Sequence, residues 1–463
     1  MNKPKIALLP LYIKLYDDIW PEARERVDAF YCTIADELEK RGLEVERTQV
    51  CRIRPEFEAA VRAFEQTEAD AIVTLHLAYS PSLESADVLA ATELPLIVLD
   101  TTPTLDFGPS QHADEILYNH GIHGVQDMCN LLVRNGKRFW IEAGHWAESD
   151  VLDRVVEDVK AARIAKRLRN AKVGAIGKPF DGMGDFRVPA DDLRRTIGID
   201  AIFVDPQQAG NAFDSISDER VDREMALNAR RFQVGRMDPE THRQSTRTDL
   251  AVRDWIARNE LTAFTVNFME VTRASALSCM PFLEASKAME RGIGYAGEGD
   301  LLTAALVGAL LSVYPDTSFA EMFCPDWKNN GIFLSHMGEM NLRVAAGKPE
   351  LMEKDFPFTD AGSPVVAYGA FRDGQAVYVN LAPGPNETYS LLLSPVNMVD
   401  PEANESMVGS IRGWFQPVPP VADFLSAFSE HGGTHHGAVV YGDAIRVLKR
   451  LGAIMGWNTV IIK

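Results

Sequence analysis

Short apolar runs alternate with helix-length amphipathic ones from Lys5 to Ser312, and this alternation restricts the fold more than any other feature. Parallel strands need a long crossover between them, so strand–helix–strand repetition implies a parallel sheet covered by helices. In the first block Lys5–Leu11 (KIALLPL), Glu44–Thr48, Ala71–Leu75 (AIVTL), Pro95–Leu99 (PLIVL) and Arg138–Ile141 read as strands. Pro21–Gly42 reads as an amphipathic helix, with Val27, Phe30, Tyr31, Ile34 and Leu38 near helical spacing and Gly42 as its stop. Pro55–Thr67 and Gly124–Arg134 read as two more helices. In such a sheet ligands gather at the carboxyl ends of the strands, here near His76, Tyr79, Asp100 and Thr101.

The charged segment Glu148–Leu168 reads as a connecting helix, and a second alternating block follows it. Lys172–Ile176, Ile199–Val204 and Ala263–Val266 read as its strands; Arg247–Glu260, Ala274–Arg291 and Leu301–Ser312 read as its helices. Past about residue 323 the texture changes. Pro364–Phe371, Gln375–Leu381, Tyr389–Leu393 and Met407–Phe415 are short runs separated by Gly, Pro, Asn and Asp, the pattern of antiparallel strands joined by turns. Helices at Ala422–His431 and Gly442–Leu451 and a strand at Asn458–Ile462 complete the pattern. The expected organisation is two doubly wound, Rossmann- or flavodoxin-like α/β domains (residues 1–170 and 171–322) and a third, mainly antiparallel β domain (323–463).

Composition narrows the partners. A net charge of −19 disfavours nucleic acid and anionic membrane surfaces. No apolar run reaches the roughly 20 residues needed to span a bilayer. Five scattered cysteines without a Cys-x-x-Cys spacing argue for a reducing compartment and against thiolate zinc. The opening MNKPKIALLPLYIKLYDDIWPE reads as a first strand and not as a signal peptide, because Lys14, Asp17 and Asp18 interrupt it and no small-residue cleavage site follows. A cytoplasmic location is expected.

The chemistry gathers between Gly297 and His336. Glu298 precedes an apolar helix, Glu321 lies in Thr-Ser-Phe-Ala-Glu, and His336 ends a strand-like run; His435 and His436 follow downstream in Gly-Gly-Thr-His-His. Singly, each has an ordinary structural explanation: a loop carboxylate near a positive helix end, a strand carboxylate facing solvent, hydrogen-bonded histidines. Together, two carboxylates and two imidazoles form a mixed oxygen–nitrogen set suited to a divalent metal.

Four motifs in order, Gly-Glu-Gly-Asp (297–300), Thr-Ser-Phe-x-Glu (317–321), Ser-His-Met (335–337) and Gly-Gly-x-His-His (432–436), resemble the L-arabinose/L-fucose isomerase family, most closely its arabinose isomerase branch. The resemblance implies an enzyme, an aldose–ketose isomerase with a Mn²⁺ site formed by Glu298, Glu321, His336 and His436, in which Co²⁺ or Fe²⁺ could substitute. It implies Glu298 and Glu321 as the catalytic proton-transfer pair on an unphosphorylated sugar, working through a cis-enediol. Asn119 to Gly124 matches the family's Asn-x-x-x-His-Gly, which implies that His123 reaches a neighbouring subunit's site in a homo-oligomer, a hexamer or trimer with shared sites. Met183, Phe268 and His435 fall where the family places substrate-binding residues. The family's Gly-Ser-Gln-His-Leu-Tyr-Gly sugar-contact loop is missing: Leu9–Asp18 reads Leu-Pro-Leu-Tyr-Ile-Lys-Leu-Tyr-Asp-Asp, which leaves the sugar open. Two other classes compete, a non-catalytic sugar-binding or sensor protein and a metal-dependent sugar epimerase or aldolase on the same scaffold.

Overall fold

In the computed structural model, which describes residues 3–208, 212–400 and 405–463, the first five strands form one parallel sheet. Glu44–Arg47, Lys5–Leu11, Ala71–His76, Leu96–Asp100 and Trp140–Ala143 lie side by side in that order, 2-1-3-4-5 by sequence. This is a doubly wound arrangement. Its three central strands are buried along almost their whole length, which is why they read as continuous apolar runs. Helix Ala23–Lys40 buries the five residues picked out by their spacing. Two helices had no such signal. Lys14–Ile19 buries nothing, and Ser82–Ala91 packs through Ser82, Ser85, Ala86 and Leu89, a face too small and polar to register as an apolar stripe. This sheet and its helices belong to the compact unit Met1–Arg163; the rest, Ile164–Lys463, forms a second unit.

The second unit holds another parallel sheet, ordered Gly294–Gly297, Ala263–Val266, Lys172–Ile176, Asp200–Val204. Two helix boundaries differ from expectation, each for a local reason. The helix expected from Arg247 begins at Pro239, where Asp238 accepts a hydrogen bond from Thr241 N (2.9 Å) and Pro239 occupies the first turn. The helix expected from Ala274 begins only at Phe282, because Thr272–Leu277 is tied into a turn by Ser275 Oγ and Pro281 stands at the start. Helices Ala190–Thr196 and Asp218–Arg231 were not legible; neither presents more than two buried residues.

Downstream the antiparallel strands close on themselves. Gly374–Pro383, His436–Tyr441, Thr317–Asp326, Gly331–Ser335, Gly413–Pro417 and Tyr389–Met398 pair in that order, and the last pairs back to the first. The result is a six-stranded barrel with no free edge around its ring. Asn458–Ile461 adds to Tyr389–Met398 in parallel. The strand expected at Met407–Phe415 forms only from Gly413. Helix Leu301–Leu311, apolar except for Thr303, is buried on all sides, and it packs so closely on Gly294–Gly297 that a Cβ on Gly294 would lie 2.2 Å from Ala304 O. Sheet and barrel thus meet around Gly297–Asp300. No helix among the described residues is long and apolar enough to cross a membrane.

Candidate metal centre

Glu298 leaves the strand Gly294–Gly297 at φ +64°, left-handed backbone that a residue with a Cβ rarely adopts. Its flanking glycines have separate reasons. A Cβ on Gly297 would lie 2.5 Å from Cε1 of His336, and one on Gly299 (φ +87°) would lie 2.5 Å from Cα of Pro179. Asp300 then does two jobs. One oxygen caps helix Leu301–Leu311 by accepting from Thr303 N (2.9 Å), and the other accepts from Nδ1 of His436 (3.0 Å).

The barrel delivers the remaining groups. Register pairs Glu321 with His436 on one side and with Ser335, the residue before His336, on the other. Nδ1 of His336 donates to Glu339 (2.8 Å), which also accepts from the Tyr295 hydroxyl (2.6 Å) and Gly338 N (2.7 Å). Each histidine therefore spends Nδ1 on a buried carboxylate and turns Nε2 the other way. Both Nε2 atoms are buried and have no hydrogen-bond partner.

Those two nitrogens face the glutamates. Glu298 Oε2 is 3.6 Å from His436 Nε2, and Glu321 Oε2 is 4.0 Å from His336 Nε2. Ligand atoms of Glu298, His435 and His436 lie within 4.8 Å of one another, as do those of Glu321, His336 and His436. Orphaned imidazole nitrogens beside two carboxylates are costly in a dry interior unless a cation lies among them. Oxygen and imidazole donors suit a divalent transition ion and, numbering four, leave coordination positions open. Aromatic rings wall the cluster: Phe319 stands edge-on to His336 (4.8 Å) and His436 (5.0 Å), and Phe186 stacks on His436 (5.3 Å).

The electrostatics follow. Burial raises the Glu298 carboxyl, but the His435 hydrogen bond and the neighbouring imidazoles outweigh it and hold Glu298 below its ordinary range. Burial prevails at Glu321 and pushes it up. Burial would lower His336, yet the charge and hydrogen bond of Glu339, with Glu321 and Glu298 beyond, raise it.

His435 occupies the rim. Its Nδ1 (2.6 Å) and backbone N (2.9 Å) both donate to Asp185, while its Nε2 lies 3.4 Å from Glu298. Burial disfavours its charge, but the hydrogen bonds to Asp185 and Glu298 lift it to about 10. Phe268 stacks on Phe180 (5.4 Å), whose backbone N donates to Glu298 O (2.9 Å). Met183 lies half-buried two residues before Asp185. His123 belongs to the first unit, where it is exposed on helix Gly121–Arg134 with the rings of Tyr79 and His120 about 6 Å away. The sequence singled out none of Asp185, Phe186 and Glu339, and Phe319 only as part of the Thr-Ser-Phe-x-Glu motif, with no role of its own. Only Glu339 left a usable signal, a carboxylate three residues after a candidate histidine.

Two family models match this chain. Residues 198–314 match the L-arabinose isomerase central domain and residues 316–458 its C-terminal domain, together more than half of the chain. The L-arabinose isomerase of Anoxybacillus flavithermus is 26% identical over 410 residues, covering 84% of this chain and 80% of its own length. That of Geobacillus thermodenitrificans shows the same identity and coverage. The L-arabinose isomerase of Herpetosiphon aurantiacus is 25% identical over 333 residues, 69% of this chain and 65% of its own.

Proposed function

Since the chain belongs to the L-arabinose isomerase family and is an aldose–ketose isomerase, we propose that it isomerises an unphosphorylated sugar at a divalent-metal centre held by Glu298, Glu321, His336 and His436. The observation that carries this reading is the pair of buried Nε2 atoms of His336 and His436, each with its other nitrogen bound to a carboxylate and neither with a partner of its own. A passive sugar binder has no use for such a pair.

Mn²⁺ is the ion this donor set fits, with Co²⁺ or Fe²⁺ as substitutes. When bound, the cation supplies positive charge that offsets the negative charge developing on the sugar oxygens. The chain's own groups handle the protons. Moving a carbonyl between C1 and C2 through a cis-enediol transfers one proton between carbons and another between oxygens. Glu298 and Glu321 are the pair that takes and returns them. His435, held by Asp185, keeps its Nε2 toward Glu298 and is placed to hydrogen-bond a sugar hydroxyl. Phe186 and Phe319 exclude water from the imidazoles, and Phe268 with Met183 forms an apolar border on the substrate. The working unit is a cytoplasmic homo-oligomer, hexamer or trimer, in which His123 serves a neighbouring subunit's site. The sugar is L-arabinose, L-fucose or a related short aldose, because the loop at Tyr12–Asp18 departs from the family's sugar-contact sequence.

Metal analysis with a sugar panel tests the proposal. The purified protein should carry a stoichiometric divalent ion, lose turnover with a chelator and regain it with Mn²⁺. L-Arabinose, L-fucose, D-arabinose, L-ribulose and tetroses form the panel. A metal-free protein, or one whose turnover survives both Glu298→Gln and Glu321→Gln, overturns the reading.

A further inference from the structure

Helices Asp218–Arg231, Pro239–Arg258 and Phe282–Glu290 border a cavity of about 460 Å³ that the isomerase chemistry does not use. Arg230, Arg231, Arg253, Lys287 and Arg291 line it, with Glu224 and Glu290 between them. A third carboxylate, Glu284, is fully buried and receives both Arg253 (2.7 Å) and Arg291. Five cationic groups therefore meet three carboxylates, in a chain whose 47 basic residues are outnumbered by 66 acidic ones. A further buried carboxyl, Asp249, accepts from Glu284 N (3.2 Å) but does not restore the balance. Burial, only partly opposed by the Lys287 charge, pushes it up to about 8.

Most of these groups are accounted for by structural pairing. Lys287 donates to Glu224 (2.6 Å) and to Asn228 Oδ1 (2.5 Å), Arg253 reaches Glu224 as well as Glu284, and Arg231 binds Glu290. Two are not. The exposed Arg230 side chain has no ion-pair partner among the described residues. Asn228, 1% exposed, lines the cavity and has an Nδ2 with no acceptor. Turning its amide over does not help, since the Lys287 ammonium carries only donors and needs the oxygen where it is. An unsatisfied buried N–H beside surplus positive charge calls for an acceptor that brings negative charge.

We propose that this cavity is a binding site for a small phosphate-bearing anion, with Asn228 Nδ2, Arg230 and Arg291 as its donors. Guanidinium forks match phosphate oxygens in pairs, and the volume accepts either free phosphate or a phosphorylated metabolite of sugar size.

Calorimetric titration of the full-length enzyme at constant ionic strength tests this without reference to turnover, so its result is separable from that of the metal centre. The probes are inorganic phosphate, ribose 5-phosphate and, as a charge control, chloride. Saturable binding of phosphate or the ester, weakened at least tenfold by Arg230→Ala and by Asn228→Asp but unchanged by Arg223→Ala on the same helix, is the expected result. Arg230 is exposed, so its variant keeps the test valid should Asn228→Asp fold poorly. Tighter binding of the ester identifies the ligand as a phosphorylated metabolite; equal or tighter binding of inorganic phosphate identifies the free ion. No saturable heat with either probe, or an affinity that Arg230→Ala leaves unmoved, overturns the proposal.

Discussion

Two buried polar clusters of the second unit are built on opposite rules. On the helices, Glu284 is matched by Arg253 and Arg291, and Glu224 by Arg253 and Lys287. At the mouth of the barrel, Glu298 and Glu321 are matched only by imidazoles, and the inward nitrogens of His336 and His436 have no hydrogen-bond partner. The carboxylates of the helix cluster all have counter-ions, with positive charge left over, and their pairs contribute to holding three helices together. The barrel cluster has a surplus of carboxylate and leaves room for a cation. Both hold unsatisfied buried atoms, Asn228 Nδ2 in one and the two Nε2 atoms in the other; the sign of the surplus charge beside those atoms separates them. Glu339 and Asp300 sharpen the contrast, because each uses a buried carboxylate to orient a histidine and not to neutralise a base.

The difference is open to measurement. The largest effect is expected at the barrel: Glu321→Gln should lower kcat by about 10²–10⁴-fold, the usual contribution of a positioned acid or base, with little change in Tm. Glu284→Ala should do the reverse, leaving the metal content intact while destabilising the fold by about 3–5 kcal/mol in denaturant titration, because two arginines lose a buried partner. Activity loss from Glu284→Ala at full stability would erase the distinction. Glu339→Gln keeps an acceptor for His336 Nδ1 but removes the charge, and chelator competition should show metal affinity weakened by about 10–100-fold. The smallest effect concerns Asp249. Its carboxyl stays protonated in the fold up to about pH 8, whereas in the unfolded chain it ionises near pH 4. The folded state therefore binds more protons across that window, and stability should fall as pH rises through it. In Asp249→Asn the decline in Tm between pH 5 and pH 8 should be shallower than in the parent.

Much of the architecture was legible because burial on both faces writes itself into composition. Ala71–His76 and Leu96–Asp100 are apolar but for Thr74 and the strand-end His76 and Asp100, and Ala23–Lys40 repeats its apolar residues at helical spacing. Lys14–Ile19 and Ser82–Ala91 left no trace, since one buries nothing and the other packs through serine and alanine. Helix ends moved where a cap or a turn outweighed periodicity, at Asp238 and at Ser275.

The candidate site divides in the same way. Residue types and motif order were enough to single out Glu298, Glu321, His336 and His436 as candidates, because the metal-assisted proton transfer we propose needs such donors and their motifs lie on the chain itself. Only the tertiary structure decided that they meet, and how. Antiparallel register sets Glu321 opposite His436, a missing Cβ at Gly297 lets His336 approach, and carboxylates from elsewhere in the chain choose which imidazole nitrogen faces inward. Such contacts join residues far apart in sequence, from Asp185 with His435 to Asn228 with Lys287. Local propensity carries no record of them, because their free energy arises from burial that exists only once the chain has folded.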